Sequence, residues 1–366
     1  MKKLLVKFSF VLCFGLLSLI ASKSNAQIDI MGRLLTGGID DAEKISQAYL
    51  NPFIDGFGAN LNAGWYNTAK PHSLFGFDLT VSLNTSIVPS VARSYNLSDL
   101  NLDATVIGDD VVPTFSGVPD SDRSHLAYYM EYNGNPVELT KYRVPNGVGL
   151  AYIPAPMIQA GIGMPFDTDL IFRYTPEFNL GNTGKIGLYG FGIKHSIKQW
   201  IPVFEKLPLI NLSIQGGYTK FHTSSGIDIK PVDIDASDRT TDAVNFSDQK
   251  FLFDVSSITA NLVASVDIPF FVVYGAVGFA TNTANLRMLG YYPIPTLDMT
   301  DGSRIVTDES VVRKDPIDFV VVGDANKYEP KYNLGLKFKM GLFHLYFDYT
   351  YAHYSVATAG MALSFR

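Results

Sequence analysis

Six histidines, His72, His125, His195, His222, His344 and His353, are the side chains best suited to holding a metal or moving a proton. None stands at a helical or paired ligand spacing from another, so no zinc site is expected. A membrane-embedded hydrolase needs Ser, His and an acid or amide in register on neighbouring strands. His195 beside Ser196 and His344 near Ser355 are the arrangements to consider, and adjacency in sequence is not triad geometry. Asp233, Asp235, Asp238 and Asp242 lack the central glycine and terminal Glu of a calcium loop and read as a solvated acidic loop. The pairs Gly161/Gly163 and Gly190/Gly192 open no helix after a strand, so they are not phosphate cradles; small residues on the inside of a wall explain them. The single cysteine, Cys13, lies in an N-terminal apolar run, which leaves no thiol nucleophile or thiolate ligand further along. No enzymatic activity and no cofactor is expected.

What remains with chemical potential is a set of polar and charged side chains at strand spacing: Asp78, Asp169, Arg173, Glu177, Lys194, Gln215, Lys337, Lys339 and Asp348. Each alternates with apolar neighbours. Phe75, Phe77, Leu79, Val81 and Leu83 lie opposite Gly76, Asp78, Thr80, Ser82 and Asn84, and period two means strand. Leu170, Phe172 and Tyr174 face away from Asp169 and Arg173; Tyr332, Leu334, Leu336, Phe338 and Met340 face away from Lys337 and Lys339. The last strand sets Ala357, Ala359, Met361, Leu363 and Phe365 against Thr358, Gly360, Ala362 and Ser364, ending the chain on an aromatic. A soluble sandwich shares this alternation. A transmembrane barrel explains it with apolar side chains in lipid and the polar set lining a lumen, as ion-paired wall or as polar conduit.

The chain order supports the barrel. About eleven strands are legible, and bacterial single-chain barrels use even numbers, so the expectation is an all-β antiparallel transmembrane barrel of about 12–14 strands. Residues 57–66 read as its first strand, residues 148–162 as two runs about a Pro154/Pro156 kink, and the phase change at Ser256-Ser257 as a bulge. Three long acidic loops, residues 90–146 (with a hairpin near 125–143), 222–250 and 285–329, fall on the outer side counted back from a periplasmic C-terminus. Short turns at Pro269 and Met340-Gly341 fall on the other side, which is the asymmetry of outer-membrane barrels. Residues 196–208 break that rule, with Ile197, Trp200, Ile201 and Phe204 at helical spacing interrupted at Pro202. They read as an interfacial anchor or a docking site for a periplasmic partner. Before the strands, Asp40 and Glu43 read as a capping box opening a short helix, with Ile45, Ala48 and Tyr49 as its stripe and Pro52 as its stop. That helix is expected in the barrel mouth or lumen as a plug.

Lys2, Lys3 and Lys7, the apolar run 8–21 and Ser24-Asn25-Ala26 compose a cleavable secretory signal. The domain plan is therefore 1–26 signal, 27–56 helical plug and 57–366 barrel. Removing the four signal lysines from 29 basic residues leaves 25 against 35 acidic, a net charge of −10, which makes nucleic acid a poor partner. The expected partners are outer-membrane lipid and lipopolysaccharide, the barrel assembly machinery and an unidentified small solute.

Gly64-Trp-Tyr-Asn-Thr-Ala-Lys-Pro-His72, Gly190-Phe-Gly-Ile-Lys-His-Ser-Ile-Lys-Gln-Trp-Ile-Pro202 and the run from Asp348-Tyr-Thr through Gly360 to Ser364-Phe-Arg366 resemble an uncharacterised family of exported Bacteroidetes proteins. The resemblance covers most of the chain after the signal. The plan of a helical segment before a barrel also resembles, in architecture alone, the long-chain fatty acid transporter barrels of outer membranes. Their Asn-Pro-Ala signature is missing here, so no fatty-acid-binding residue is carried over. Two functions stay open: a conduit for small, including hydrophobic, solutes, and a closed barrel acting as scaffold or secretion partner through its loops and the Trp200 segment.

Overall fold

A computed structural model describes residues 38–179, 184–226, 246, 248–292, 296–297, 305–306, 313–321 and 329–365. The signal segment and the Asp233–Asp242 cluster lie outside the described residues. Ten strands form the wall: β1 (Phe77–Ile87), β2 (Tyr152–Met164), β3 (Thr168–Asn179), β4 (Lys185–Ser196), β5 (Ile210–Gly226), β6 (Lys250–Asp267), β7 (Phe271–Leu289), β8 (Glu329–Met340), β9 (Phe343–Tyr351) and β10 (Ser355–Phe365). Each pairs antiparallel with its sequence neighbour. The cylinder closes where β1 meets β10, in register from Phe77↔Phe365 to Ile87↔Ser355.

Alternation sets the two faces. Leu79, Phe347, Leu334 and Leu363 point outward and are exposed, while Asp78, Thr80, Ser82, Asn84 and Ser86 point inward and are buried. Unpaired backbone groups are not tolerated in hydrocarbon, and closure leaves the wall no sheet edge between β1 and β10. At 11 residues, β1 is long enough to cross a bilayer; β5, β6 and β7, at 17, 18 and 19, extend beyond it at the rim opposite the C-terminus, here the far rim.

One helix precedes the wall, α1 (Ile39–Asn62), 24 residues long with Pro52 inside it. This corrects three expectations. Residues 57–62 are helix and not strand, Pro52 does not end the helix, and the cap is Gly38 with no side-chain hydrogen bond. Asp41 instead accepts from the far-rim backbone amides of Asp103 and Ala104. The wall therefore begins at Phe77 and has ten strands in place of 12–14. Residues 148–162 contribute one strand and not two, because β2 pairs continuously with β1 through both prolines.

The bulge expected at Ser256-Ser257 is also replaced. β6 pairs with β5 without interruption from Lys250 to Val266, and odd-numbered residues face inward throughout. The inward face itself changes, from Phe253 and Val255 against α1, through Ser257, Thr259 and Asn261, to Val263, which packs in a second apolar cluster with Trp65, Tyr66 and Ala69.

Residues 88–151 cap the far rim. Their hairpin, His125–Tyr132 with Asn135–Arg143, turns at Asn133 and Gly134, both at positive φ as a tight two-residue hairpin requires. Leu97, Val112, Phe115, Leu126, Tyr128 and Val144 from this cap join the core around Ile45 and Tyr49.

Candidate functional site

The lumen has two layers, both occupied by the chain's own N-terminal segment. In the far layer α1 packs against Ile153, Ala155 and Met157 of β2, Phe253 and Val255 of β6, and Ala284, Leu286 and Met288 of β7. Ile45 and Leu61 are fully buried, each burial favouring the packed state by about 2 kcal/mol. Of the expected plug stripe, Ile45 and Tyr49 are buried and Ala48 is half-buried. The Tyr49 hydroxyl donates to the carbonyl of Asn146 at 2.7 Å, and its own carbonyl accepts from Phe115, tying helix to cap. Asp41 also accepts from the Tyr128 hydroxyl at 2.9 Å; burial, then Tyr142 and Asp41, raise that hydroxyl well above its ordinary value.

Below Asn62 the chain leaves the helix and continues through the polar layer. A helix end exposes unpaired carbonyls at its negative pole. Here the wall supplies cations. Arg173 donates to Leu61 O at 2.8 Å and Ala63 O at 2.6 Å, and Lys331 donates to Asn62 O at 2.9 Å. The Arg173 guanidinium lies 3.7 Å from the Trp65 ring centroid, a close cation–π stack, and donates through Nε to Gln159. On its other side the indole meets Gly192 and Gly217, paired across β4 and β5; a Cβ there would come within 2.7 and 2.5 Å of the ring. Glycine at that rung makes the recess for Trp65.

Further down, Lys337 donates to Asn67 Oδ1 at 2.8 Å. Thr68 bridges Ser265 and Asp267, and Ser213 donates to Ala69 O. Lys194 pairs with Asp169 at 3.0 Å and reaches the carbonyls of Thr68 and Lys70. Asp169 also accepts from the His72 backbone amide at 2.8 Å and faces His72 Nδ1 at 3.1 Å, with Asp78 3.8 Å from Nε2.

Of the nine wall residues singled out by alternation, Asp78, Asp169, Arg173, Lys194, Gln215, Lys337 and Asp348 are buried and face the lumen. Five of them converge on the segment from Leu61 to His72. Gln215 meets Asn261, and Asp348 accepts from Tyr274 and Asn333 across the wall. Lys339 reaches Ile268 O at the C-terminal rim. Glu177 is a correction: it is exposed at the far rim, paired with His222 at 3.0 Å, because β3 changes register between Thr175 and Phe178.

The histidine–serine pairs do not assemble. His195 faces outward against Trp200 while Ser196 is buried on the opposite face. His344 sits one residue into β9 at the C-terminal rim, and Ser355 begins β10 at the far rim. No group of three potential metal ligands occurs among the described residues. The 196–208 segment forms two short turns, Lys198–Trp200 and Pro202–Glu205, outside the lumen. Ile197, Ile201 and Phe204 there are half-buried and Trp200 is exposed. Trp65 was placed by alternation within the expected first strand, and Asn67, Thr68, His72 and Lys331 were not singled out by it; the run of polar and small residues after Trp65 was the signal for the first three of these.

The model of a family of unknown function, DUF6588, matches residues 1–365. No curated protein matches the sequence. Among solved structures, the outer membrane protease OmpT from Escherichia coli aligns at 9% identity and TM-score 0.29, over 81% of this chain and 100% of that one. The translocator domain of autotransporter NalP from Neisseria meningitidis aligns at 8% and 0.27, over 89% and 98%. A mutant of the TodX monoaromatic hydrocarbon channel aligns at 8% and 0.24, over 80% and 68%. Overlaps of this size carry no assignment of activity.

Proposed function

We propose that this chain, which belongs to the DUF6588 family, is an outer-membrane barrel that its own N-terminal segment holds closed at rest, and that it conducts small solutes when the segment yields. The outward belt of exposed Leu, Phe, Tyr and Val supports the membrane assignment, since lipid is the solvent that such a surface suits. Lipid, lipopolysaccharide and the barrel assembly machinery are its proposed partners, reached through an exported precursor.

One observation carries the gated reading. Most of the wall cations that hold the extended segment bond to main-chain carbonyls, a kind of contact that water replaces when the segment moves. A lumen meant to stay filled is served as well by apolar packing, and buried ions add little to stability over it. This barrel uses apolar packing in its far layer and keeps a charged wall behind the extended segment, so withdrawal leaves a wettable path. The apolar far wall suits hydrophobic as well as polar small solutes.

Planar-bilayer recordings test this. The full chain is expected to show no sustained current, and a variant lacking residues 38–72, helix and latched segment together, to show discrete conductance steps. A deletion that assembles, shown by heat-modifiable mobility, and still conducts nothing would reject the conduit. It would favour a closed scaffold acting through the far-rim cap and the Trp200 segment.

A further inference from the structure

We infer that the wall parts between β2 and β3 in its far half, and that this seam is a lateral passage between the lumen and the bilayer for apolar, chain-like molecules. The inference rests on the conduit reading and adds its route and its class of cargo.

The ladder itself shows the parting. β2 pairs with β1 along its length from Tyr152 to Ile162, yet with β3 only from Gln159↔Arg173 to Met164↔Thr168. Both strands continue past that point, β2 to Tyr152 and β3 to Asn179. Among the described residues, 152–158 therefore present an edge without a partner strand on the β3 side. Seven residues of extended chain span roughly 20 Å. That edge lies beside Val81–Ile87 of β1, a strand just long enough to cross the membrane, so it sits at bilayer depth.

Prolines account for the opening. Gly163 N donates to Gly76 O and Ala151 O accepts from Val88, so odd-numbered residues of β2 direct their backbone groups toward β1 and even-numbered ones toward β3. Pro154 and Pro156 are even. They remove two of the donors that would reach β3. The existing register places Pro156 opposite Pro176, since each β2–β3 pair sums to the same number, so neither side of that rung has an N–H. The register shift between Thr175 and Phe178 then carries β3 toward β4.

An unpaired edge in hydrocarbon is costly in proportion to its unmet polar groups, and deleting donors lowers that cost. The same prolines discourage the obvious competitor, an added strand from another protein, which needs those donors. Behind the seam the inner surface is apolar, made by Ile153, Ala155, Met157 and Leu188, and outside it Tyr152 and Tyr174 are exposed toward lipid. Apolar surface thus runs from the bilayer to the α1 layer. A narrow slot of this chemistry fits an alkyl or acyl chain.

The test restores the ladder. In Pro154→Val/Pro156→Val/Pro176→Val, exchange of the seam-facing amides of Ile158 and Tyr174 should slow, and transfer of a pyrene-labelled alkyl probe from the outer aqueous phase into proteoliposomes, measured under mild denaturant that releases the N-terminal segment, should fall to the protein-free rate. Unchanged exchange, or slowed exchange with transfer retained, overturns the inference. Should that variant fail to assemble, Ile158→Cys with Tyr174→Cys, both outward and next on the ladder, is bridged by a short bifunctional thiol reagent. Bridging should stop transfer, whereas the same bridge at Ile162→Cys with Leu170→Cys, within the paired ladder, should not. Equal effects at both sites overturn the seam. A wild-type barrel that accelerates no transfer even when mild denaturant releases the N-terminal segment instead refutes the conduit reading, before any variant is compared.

Discussion

The two layers of the lumen solve the same problem with opposite chemistry. Around α1 the wall turns Phe253, Val255, Leu286 and Met288 inward and holds the helix by burial. Around residues 63–72 it turns Asp169, Arg173, Lys194 and Lys337 inward and holds an extended chain by hydrogen bonds and ion pairs. Burial is indifferent to direction, and the helix adds directional ties at its two ends, Asp41 and Tyr49 to the cap and Asn60 to the wall. The polar layer is directional and fails group by group. On the proposed conduit function this difference assigns the latch to the polar layer and makes the helix what the latch retains.

Arg173→Ala should break the comparison most severely. It leaves the carbonyls of Leu61 and Ala63 only the longer contacts from Thr219 and Asn84 and removes the stack on Trp65, a loss of about 4 kcal/mol from two charge-assisted hydrogen bonds at about 1.5–3 kcal/mol each. The expected readout is a lower denaturant midpoint in detergent together with bursts of current from the otherwise intact barrel. Lower stability with no current would mean that the polar layer is structural only.

Leu61→Ala in the apolar layer should cost about 3 kcal/mol, within the range for a fully buried leucine. Stability should fall by denaturant titration while the current record stays silent, because the latch is intact. Asp41→Asn should cost about 1–2 kcal/mol through weaker acceptance from Asp103, Ala104 and Tyr128, and should raise proteolysis of residues 88–151 ahead of the wall. Smallest is Phe365→Ala at the strand closure, about 1 kcal/mol for a ring stacked 4.8 Å from Phe77, visible as a slower return to the heat-modifiable form on refolding.

The wall was legible because its two solvents are unlike: lipid outside and polar lumen inside impose period two, and the polar phase of strands such as β3 and β8 reads directly from Asp169, Arg173 and Lys337. Legibility ended where one of those solvents was replaced by protein. Residues 57–62 touch the wall around most of the helix, so Phe57, Leu61, Asn60 and Asn62 are all buried and no polar face marks a helical period. Their alternation of large with small or polar residues then imitates a strand. Phe253 and Val255 misled for the same reason, being apolar on the inward face because α1 lies behind them. Pro154 and Pro156 suggested a kink; which neighbour loses its donors depends on strand direction and register, which only the paired ladder supplies.

On the proposed function, residues 63–72 close the lumen by being latched to the wall. Thr68 Oγ1 and Ser265 Oγ lie 3.2 Å apart, so Thr68→Cys with Ser265→Cys places two thiols at the latch, in a chain whose other cysteine, Cys13, falls in the expected signal. Single-channel recording of this variant, oxidised and then reduced, is the direct measurement. A latched segment should give a disulfide that forms without added catalyst, a silent barrel while it persists, and opening events under mild denaturant once reductant is added. Free thiols under oxidising conditions, or a steady current unaffected by the redox state, would contradict it.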